Sequence, residues 1–247
     1  MKQIHLVMPM AGEGTRFLKG GIHVPKPMIE LQGKPFFYWA VQSLNKYIDV
    51  RDTTFIVLQE HVKKYKIDEC IKSFYPEAII IVIPKVLNGA VLTCCEGIKG
   101  IKDESPIIFN DCDHAFISES FYKYIKKAEF DSLDGAMLTF KSNCPNYSYI
   151  VFDKEGNIIA TVEKVVMSNE AICGTYYFKN KKIFEEAVKK YLINCQYHEF
   201  FISGVYDGMI KRHAKLCTFT LDEHISYGTP EEYNKAKYDE RLKQLFL

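Results

Sequence analysis

Two glycines, an arginine and a lysine near the start of the chain raise the first chemical question. Met10-Ala11-Gly12-Glu13-Gly14-Thr15-Arg16-Phe17 is followed by Pro25-Lys26-Pro27-Met28. Gly12 and Gly14 let the backbone approach a bound group and aim N–H donors at phosphate oxygens, while Arg16 and Lys26 add charge-assisted bonds to the same polyanion. The segment therefore reads as a triphosphate cradle. It is not a P-loop, because G-x-x-x-x-G-K-[ST] is absent. The dinucleotide fingerprint fails as well: the third glycine is missing and no acidic ribose ligand follows the second strand.

Such a cradle must hang from something rigid. Ile4 to Met8 is a short apolar run leading straight into the glycines, as expected of a buried strand feeding a loop at its carboxyl end. Thr54 to Leu58, Ala78 to Ile83 and Pro106 to Phe109 look the same, and helical periods precede them at Phe36 to Tyr47, Val62 to Phe74 and Gly89 to Ile98. This alternation predicts βαβ units and a parallel sheet, with ligands beyond the carboxyl ends of the strands. The second half changes character. Ala136 to Phe140, Tyr149 to Phe152 and Ile158 to Val165 follow as strands in close succession, the last two joined by a turn at Asp153 to Asn157 in which Gly156 supplies positive φ. A strand at Gly174 to Lys179, helices at Lys181 to Tyr191 and Phe200 to Arg212, a strand at Leu216 to Leu221 and a closing helix at Glu231 to Leu245 complete the reading.

Composition narrows the classes. Lys and Arg number 32 against 31 Asp and Glu, so nothing suggests a nucleic-acid coat or a polybasic membrane anchor. With 47% hydrophobic and 26% charged residues the chain is globular and not disordered. The eight cysteines include the adjacent Cys94 and Cys95 but no C-x-x-C pair, which argues for reduced, mostly buried thiols over a zinc ribbon or thioredoxin site. The N-terminal apolar run is too short for a signal peptide and no run approaches a membrane span, so a cytoplasmic protein is expected.

The ordered motifs resemble a known family. G-x-G-[ST]-R-F, then P-K-P and Gly33-Lys34-Pro35, closely resembles the nucleotidyltransferase superfamily of sugar-nucleotide pyrophosphorylases and small cytidylyltransferases. Asn88-Gly89-Ala90 resembles its base-reading segment, Asp111-Cys112-Asp113 its metal-bearing strand end, Val162-Glu163-Lys164 its E-K motif, Cys173-Gly174-Thr175-Tyr176-Tyr177 its G-x-Y strand and Gly228-Thr229-Pro230-Glu231 its G-T-P-E. The resemblance implies an α/β fold that is glycosyltransferase-A-like, with a Rossmann-like, mostly parallel central sheet flanked by helices. It implies one domain over 1–247, with 1–115 binding nucleotide and a mixed β/α half at 116–247 binding the acceptor.

The implied reaction is attack by a phosphorylated acceptor on the α-phosphorus of an NTP, releasing pyrophosphate. Met10, Ala11, Gly12, Glu13, Gly14, Thr15, Asn88, Gly89, Ala90 and Asp111 would bind nucleotide, with backbone and small residues around Met10, Ala11, Gly89 and Ala90 reading the base. Arg16 and Lys26 would stabilise pyrophosphate, Asp113 would hold Mg²⁺, and Lys164 would neutralise the acceptor phosphate. Glu163, Gly174, Tyr176 and Glu199 would contact the acceptor. CTP is favoured before UTP or dTTP. The small members suggest non-sugar phosphates such as phosphocholine, or phosphoglutamine for capsule modification, alongside sugar 1-phosphates. Neither nucleic acid nor membrane is an expected partner, and a homodimer is compatible with the resemblance.

Plainer readings stand beside these. Asp111 and Asp113 could cap a following helix, and either could be the ligand, since alternation puts both on one face. His114 fits a solvated loop histidine better than a third ligand. Lys164 could be an edge-strand lysine, and Glu199 could merely open the next helix. The aromatic group Tyr147, Tyr149, Tyr176, Tyr177, Phe200 and Phe201 reads as mostly core, with some rings walling the acceptor pocket. One departure matters: many sugar-1-phosphate members carry an Asp two positions before the G-T-P glycine, where this chain has Ser226. Either one carboxylate and more water suffice, or Asp222 or Glu223 substitutes. A catalytically silent nucleotide-binding relative and a glycosyltransferase using Asp111-Cys112-Asp113 are the competing classes.

Overall fold

The computed structural model describes residues 3–127 and 132–247. The first half runs β1 (Ile4–Pro9), α1 (Thr15–Lys19), β2 (Glu30–Leu31), β3 (Lys34–Pro35), α2 (Phe36–Asn45), β4 (Val50–Leu58), α3 (Gln59–Tyr65), α4 (Ile67–Phe74), β5 (Ile79–Ile83), α5 (Ala90–Gly97) and β6 (Ile107–Asn110). The second continues with β7 (His114–Ile117), α6 (Glu119–Lys126), β8 (Gly135–Lys141), β9 (Ser148–Phe152), β10 (Ile158–Glu163), β11 (Glu170–Phe178), α7 (Lys181–Asn194), α8 (Ile202–Ile210), β12 (Leu216–Thr220), β13 (Glu223–Ser226), α9 (Pro230–Ala236) and α10 (Arg241–Phe246).

Among the described residues nine strands form the main sheet, in the order β10-β9-β11-β6-β1-β4-β5, with β8 also on β11 and β12 on β8. β6, β1, β4 and β5 are parallel, as the helix-strand alternation demands. β11 runs antiparallel to β6, so the one sheet crosses from the parallel half into the mixed half. β1 is central and covered on both faces: Ile4, Leu6 and Met8 enter one apolar cluster and Val7 another. A third cluster around Phe36, Trp39 and Tyr227 ties α2 to the C-terminal segment. No helix of the described residues is long and apolar enough to cross a membrane.

Three expectations need correction. The helix expected over Val62 to Phe74 is two, because Lys66 takes a left-handed φ of 55°. The break turns α4 so that Ile67 and Ile71 are buried. The closing helix is likewise two. Gln32 Nε2 donates to the carbonyls of Ala236 and Asp239 at 2.9 and 2.8 Å, satisfying the end of α9, and α10 then lays Leu242 and Phe246 into the Trp39 cluster. Third, the segment after Asp113 is neither loop nor helix: β7 pairs antiparallel with β13, setting His114 opposite Ser226. Four residues in each strand carry too short a pattern to read from sequence. All eight cysteines are free, but they are not mostly buried as expected: Cys94, Cys112 and Cys173 are buried and the other five are partly exposed.

Candidate active site

The cleft opens beyond the carboxyl ends of β1 and β6. On one side, Ala11, Gly12, Glu13, Gly14, Thr15, Asn88, Gly89 and Ala90 line a cavity of about 470 Å³. Met10 is buried and borders a smaller recess shared with Gly12, Gly14, Lys26 and Asp111. On the other side, Asp111, Asp113, Glu163, Gly174 and Tyr176 line a cavity of about 180 Å³ with Arg16, Tyr147, Ser148, Ser226 and Glu232. Asp111 belongs to the second cavity and to the recess, so the two sides adjoin across it.

Asp111 and Asp113 follow β6 directly, and room for both is made by glycines on other elements. A Cβ on Gly174 would lie 2.5 Å from Asp111 Oδ2, and one on Gly228 would lie 2.4 Å from Asp113 Oδ2. The glycines of the G-x-Y and G-T-P segments are thus required by the carboxylates they face. The capping reading is excluded, since a strand and not a helix follows these aspartates.

Lys26 Nζ donates to Asp113 Oδ2 at 2.8 Å. Burial alone would raise the Asp113 carboxyl, but the Lys26 ammonium holds it below its ordinary value, and Asp113 in turn raises Lys26. Asp111 has no such cation in contact. Burial, reinforced by the Asp113 charge, pushes its carboxyl up to about 7. Two neighbouring carboxylates with one ammonium, paired to Asp113, leave Asp111 without a cation of its own. A divalent cation would supply the missing positive charge, and hard oxygen donors such as these fit Mg²⁺, which takes one or two carboxylates and completes its shell with water and phosphate.

His114 is buried in β7, not solvated as expected. Its Nε2 lies 3.1 Å from Asn110 Oδ1, which also accepts from Thr175 Oγ1 at 2.6 Å. Burial lowers His114 to about 4 and its neighbour His224 to about 3, so both are neutral at pH 7. His114 acts as a strut between β6 and β11. Asp222 and Glu223 do not replace the missing carboxylate: Asp222 accepts from the Glu119 amide at 2.8 Å and Glu223 pairs with Arg241. Glu232 occupies the Ser226 wall instead. It accepts from the Tyr147 hydroxyl, which also lies 3.4 Å from Ser226 Oγ, and closes a capping box with Thr229.

Glu163 accepts from Ser148 Oγ at 2.7 Å and Ser203 Oγ at 2.6 Å, and burial raises its carboxyl. Lys164 lines neither cavity. It follows β10 with a φ of 56°, exposed, its ammonium 4.8 Å from the Phe201 ring. Glu199 lines the glycine-loop cavity, and its charge also reaches Glu163. Gly89 lines the glycine-loop cavity while packing closely on Phe200: a Cβ there would lie 2.4 Å from the Phe200 amide nitrogen, so a larger residue does not fit at this position. Of the aromatic group, Tyr147, Tyr176 and Phe201 wall the cleft, whereas Tyr149 and Tyr177 are fully buried. Sequence reasoning missed Ser148, Ser203 and Glu232. Only Glu232 left a trace, the capping-box spacing from Thr229.

The family model described as Nucleotidyl transferase matches residues 6–241. The bifunctional protein GlmU of Methanocaldococcus jannaschii is 28% identical over 181 residues, 71% of this chain and 40% of that protein, so the chain spans about two-fifths of that relative's length. Among solved structures, a nucleoside-diphosphate-sugar pyrophosphorylase from Vibrio cholerae RC9 superposes with a TM-score of 0.81 at 23% identity, covering 94% of this chain and 99% of that one. An inositol-1-phosphate CTP transferase from T. maritima gives 0.73 at 16% identity over 96% and 97%. A UDP-glucose pyrophosphorylase complexed with UDP-glucose gives 0.74 at 18% over 98% and 100%. These likenesses carry the fold, and the expected α/β, glycosyltransferase-A-like architecture is the one the chain adopts.

Proposed function

The chain belongs to the nucleotidyl transferase family, and on that premise we propose that it is a Mg²⁺-dependent nucleotidyltransferase joining an NTP to a phosphorylated small molecule with release of pyrophosphate. The observation that carries this reading is the meeting of the glycine loop, the Lys26–Asp113 pair and Asp111 at the seam between two cavities. One cavity suits a nucleoside triphosphate and the other its acceptor, with the reacting phosphorus between them.

A phosphate monoester is already nucleophilic at neutral pH, so the work is positioning and charge neutralisation. Amides of residues 12–15 would hold the triphosphate, with Lys26 and Arg16 meeting the charge that grows on departing pyrophosphate. Asp113 and Asp111 would hold the ion, which polarises the α-phosphate when bound. Glu163, fixed by two serine hydroxyls, would accept a hydrogen bond from the acceptor. Lys164, at the rim over Phe201, would meet the acceptor phosphate. CTP is the favoured nucleotide, phosphoglutamine the favoured acceptor and capsule modification the setting, with sugar 1-phosphates the alternative acceptors.

The test is pyrophosphate release with Mg²⁺, pairing CTP, UTP, dTTP, ATP and GTP with phosphoglutamine, phosphocholine and a set of sugar 1-phosphates. Release demanding CTP and phosphoglutamine is expected. Release with another pair keeps the reaction and replaces the substrates. Nucleotide binding without release from any pair would favour the silent relative, a reading to which Ser226 lends its one specific support.

A further inference from the structure

The cavity on the acceptor side carries more negative charge than the reaction described above uses. Asp111, Asp113, Glu163 and Glu232 line it, and the permanent cation among its lining residues is Arg16, given above to the departing pyrophosphate. Asp113 is answered by Lys26, and Asp111 by the metal ion the pair would hold. Glu163 and Glu232 have no such answer. Ser148 and Ser203 donate to the first, and the Tyr147 hydroxyl and the Thr229 amide donate to the second, so the groups that fix both carboxylates are neutral.

The wall around Glu232 is also short of a hydrogen bond. Tyr147, His224 and Ser226 line the cavity with it, and His224 and Ser226, two apart on β13, share a face of that strand. The His224 ring is neutral and deeply buried, and among the described residues its Nε2 has no hydrogen-bond partner. A buried nitrogen left unpaired is costly, and an N–H of a ligand would satisfy it. A fixed carboxylate beside an aromatic ring suits an ammonium group: the carboxylate supplies the charge and the ring face adds to it. A hydroxyl would fill the hydrogen bonds but leave the charge unanswered.

Resting on the nucleotidyl-transfer reading above, we propose that the acceptor is zwitterionic, a phosphorylated small molecule that also carries an ammonium group, and that Glu232 is the residue that selects for it. The phosphate end belongs to the metal and Lys164, and the ammonium belongs to the wall of Glu232, Tyr147 and His224. Glu163 then takes a second donor of the same molecule.

Acceptors matched except for ammonium against hydroxyl test it: glucosamine 1-phosphate against glucose 1-phosphate, and phosphoethanolamine against 2-hydroxyethyl phosphate. Binding is read by calorimetry on the full chain with Mg²⁺ and an α,β-methylene analogue of CTP, and turnover by pyrophosphate release with CTP. The ammonium member of each pair should bind and react at least ~10-fold better, the scale of one hydrogen bond to a charged group. Glu232→Gln removes the charge but keeps the capping-box spacing, and it should bring each pair to within ~3-fold by raising KM for the ammonium member alone. Circular dichroism reports whether that variant folds, and the comparison within the unmodified chain does not depend on it. A hydroxyl member bound as well as its ammonium partner, a preference that survives in folded Glu232→Gln, or no binding by either ammonium member would each overturn the proposal. Release that favours the hydroxyl members would keep nucleotidyl transfer and end this inference. A binding preference without release from any pair would keep the inference and end the transfer reading.

Discussion

Lys26 and Asp113 stand 2.8 Å apart and each holds the other in its charged form. Neither is surplus charge: the lysine borders the recess beside the glycine loop and the aspartate lines the cavity next to it. Lys26→Ala and Asp113→Asn are each expected to lower turnover at least ~100-fold, the scale of about 2.7 kcal/mol for one lost charge-stabilising group. Steady-state pyrophosphate release alongside a circular-dichroism melt checks this. A folded variant with near-normal turnover would remove that residue from the machinery.

Elements bring chemistry together that no local pattern joins. β13 lies along β7, setting Ser226 opposite His114 and leading into Gly228 against the Asp113 carboxylate, and α9 begins at once with the Thr229–Glu232 capping box. That box aims the Glu232 carboxylate at the Tyr147 hydroxyl, so a helix start also builds a cleft wall. Thr229→Ala should destabilise the protein by about 1 kcal/mol, the usual loss of an N-cap side chain. Urea unfolding measures it, and a change under about 0.3 kcal/mol would mean the cap is dispensable.

Across the whole molecule, the two ends of β1 do opposite work. Its carboxyl end meets the cleft, while at its amino end His5, 5% exposed, contacts Asp52 at 2.9 Å and Asp103 at 3.2 Å. Burial would lower the imidazole, but hydrogen bonds to both aspartates outweigh it and raise His5 above its ordinary 6.5. The charged form is therefore favoured by folding. Its contribution is fully present below about pH 6.5 and lost as pH rises through the higher folded value. His114 and His224 act in the other direction: held neutral by burial, they favour folding above pH 6.5 and lose that contribution as pH falls towards about 4 and about 3. Stability should thus peak near neutrality, and His5→Asn should flatten its decline on the alkaline side while leaving the acid side unchanged. Urea midpoints from pH 5 to 9 decide this, and an unaltered alkaline slope in His5→Asn would remove His5 as the cause.

What the sequence determined by itself was whatever local periodicity or a contiguous motif encodes. The parallel strands, their helices, the turn at Gly156 and the loop of Gly12, Gly14 and Arg16 were legible because residues 2, 3.6 or a few positions apart already constrain one another. The two helix breaks were not, since they depend on which face meets a distant core and on Gln32 reaching Ala236 and Asp239. Nor was the β7–β13 ladder, whose strands lie over a hundred residues apart. The site divided the same way. Asp111, Asp113 and Glu163 could be named in advance, but only the fold showed that Gly174 and Gly228 clear space for two of them, that two serines fix the third, and that Gly89 packs against the Phe200 backbone. The reason is steric and electrostatic: a residue's type is written in the chain, whereas the atoms within 3 Å of it are set by packing between segments remote in sequence.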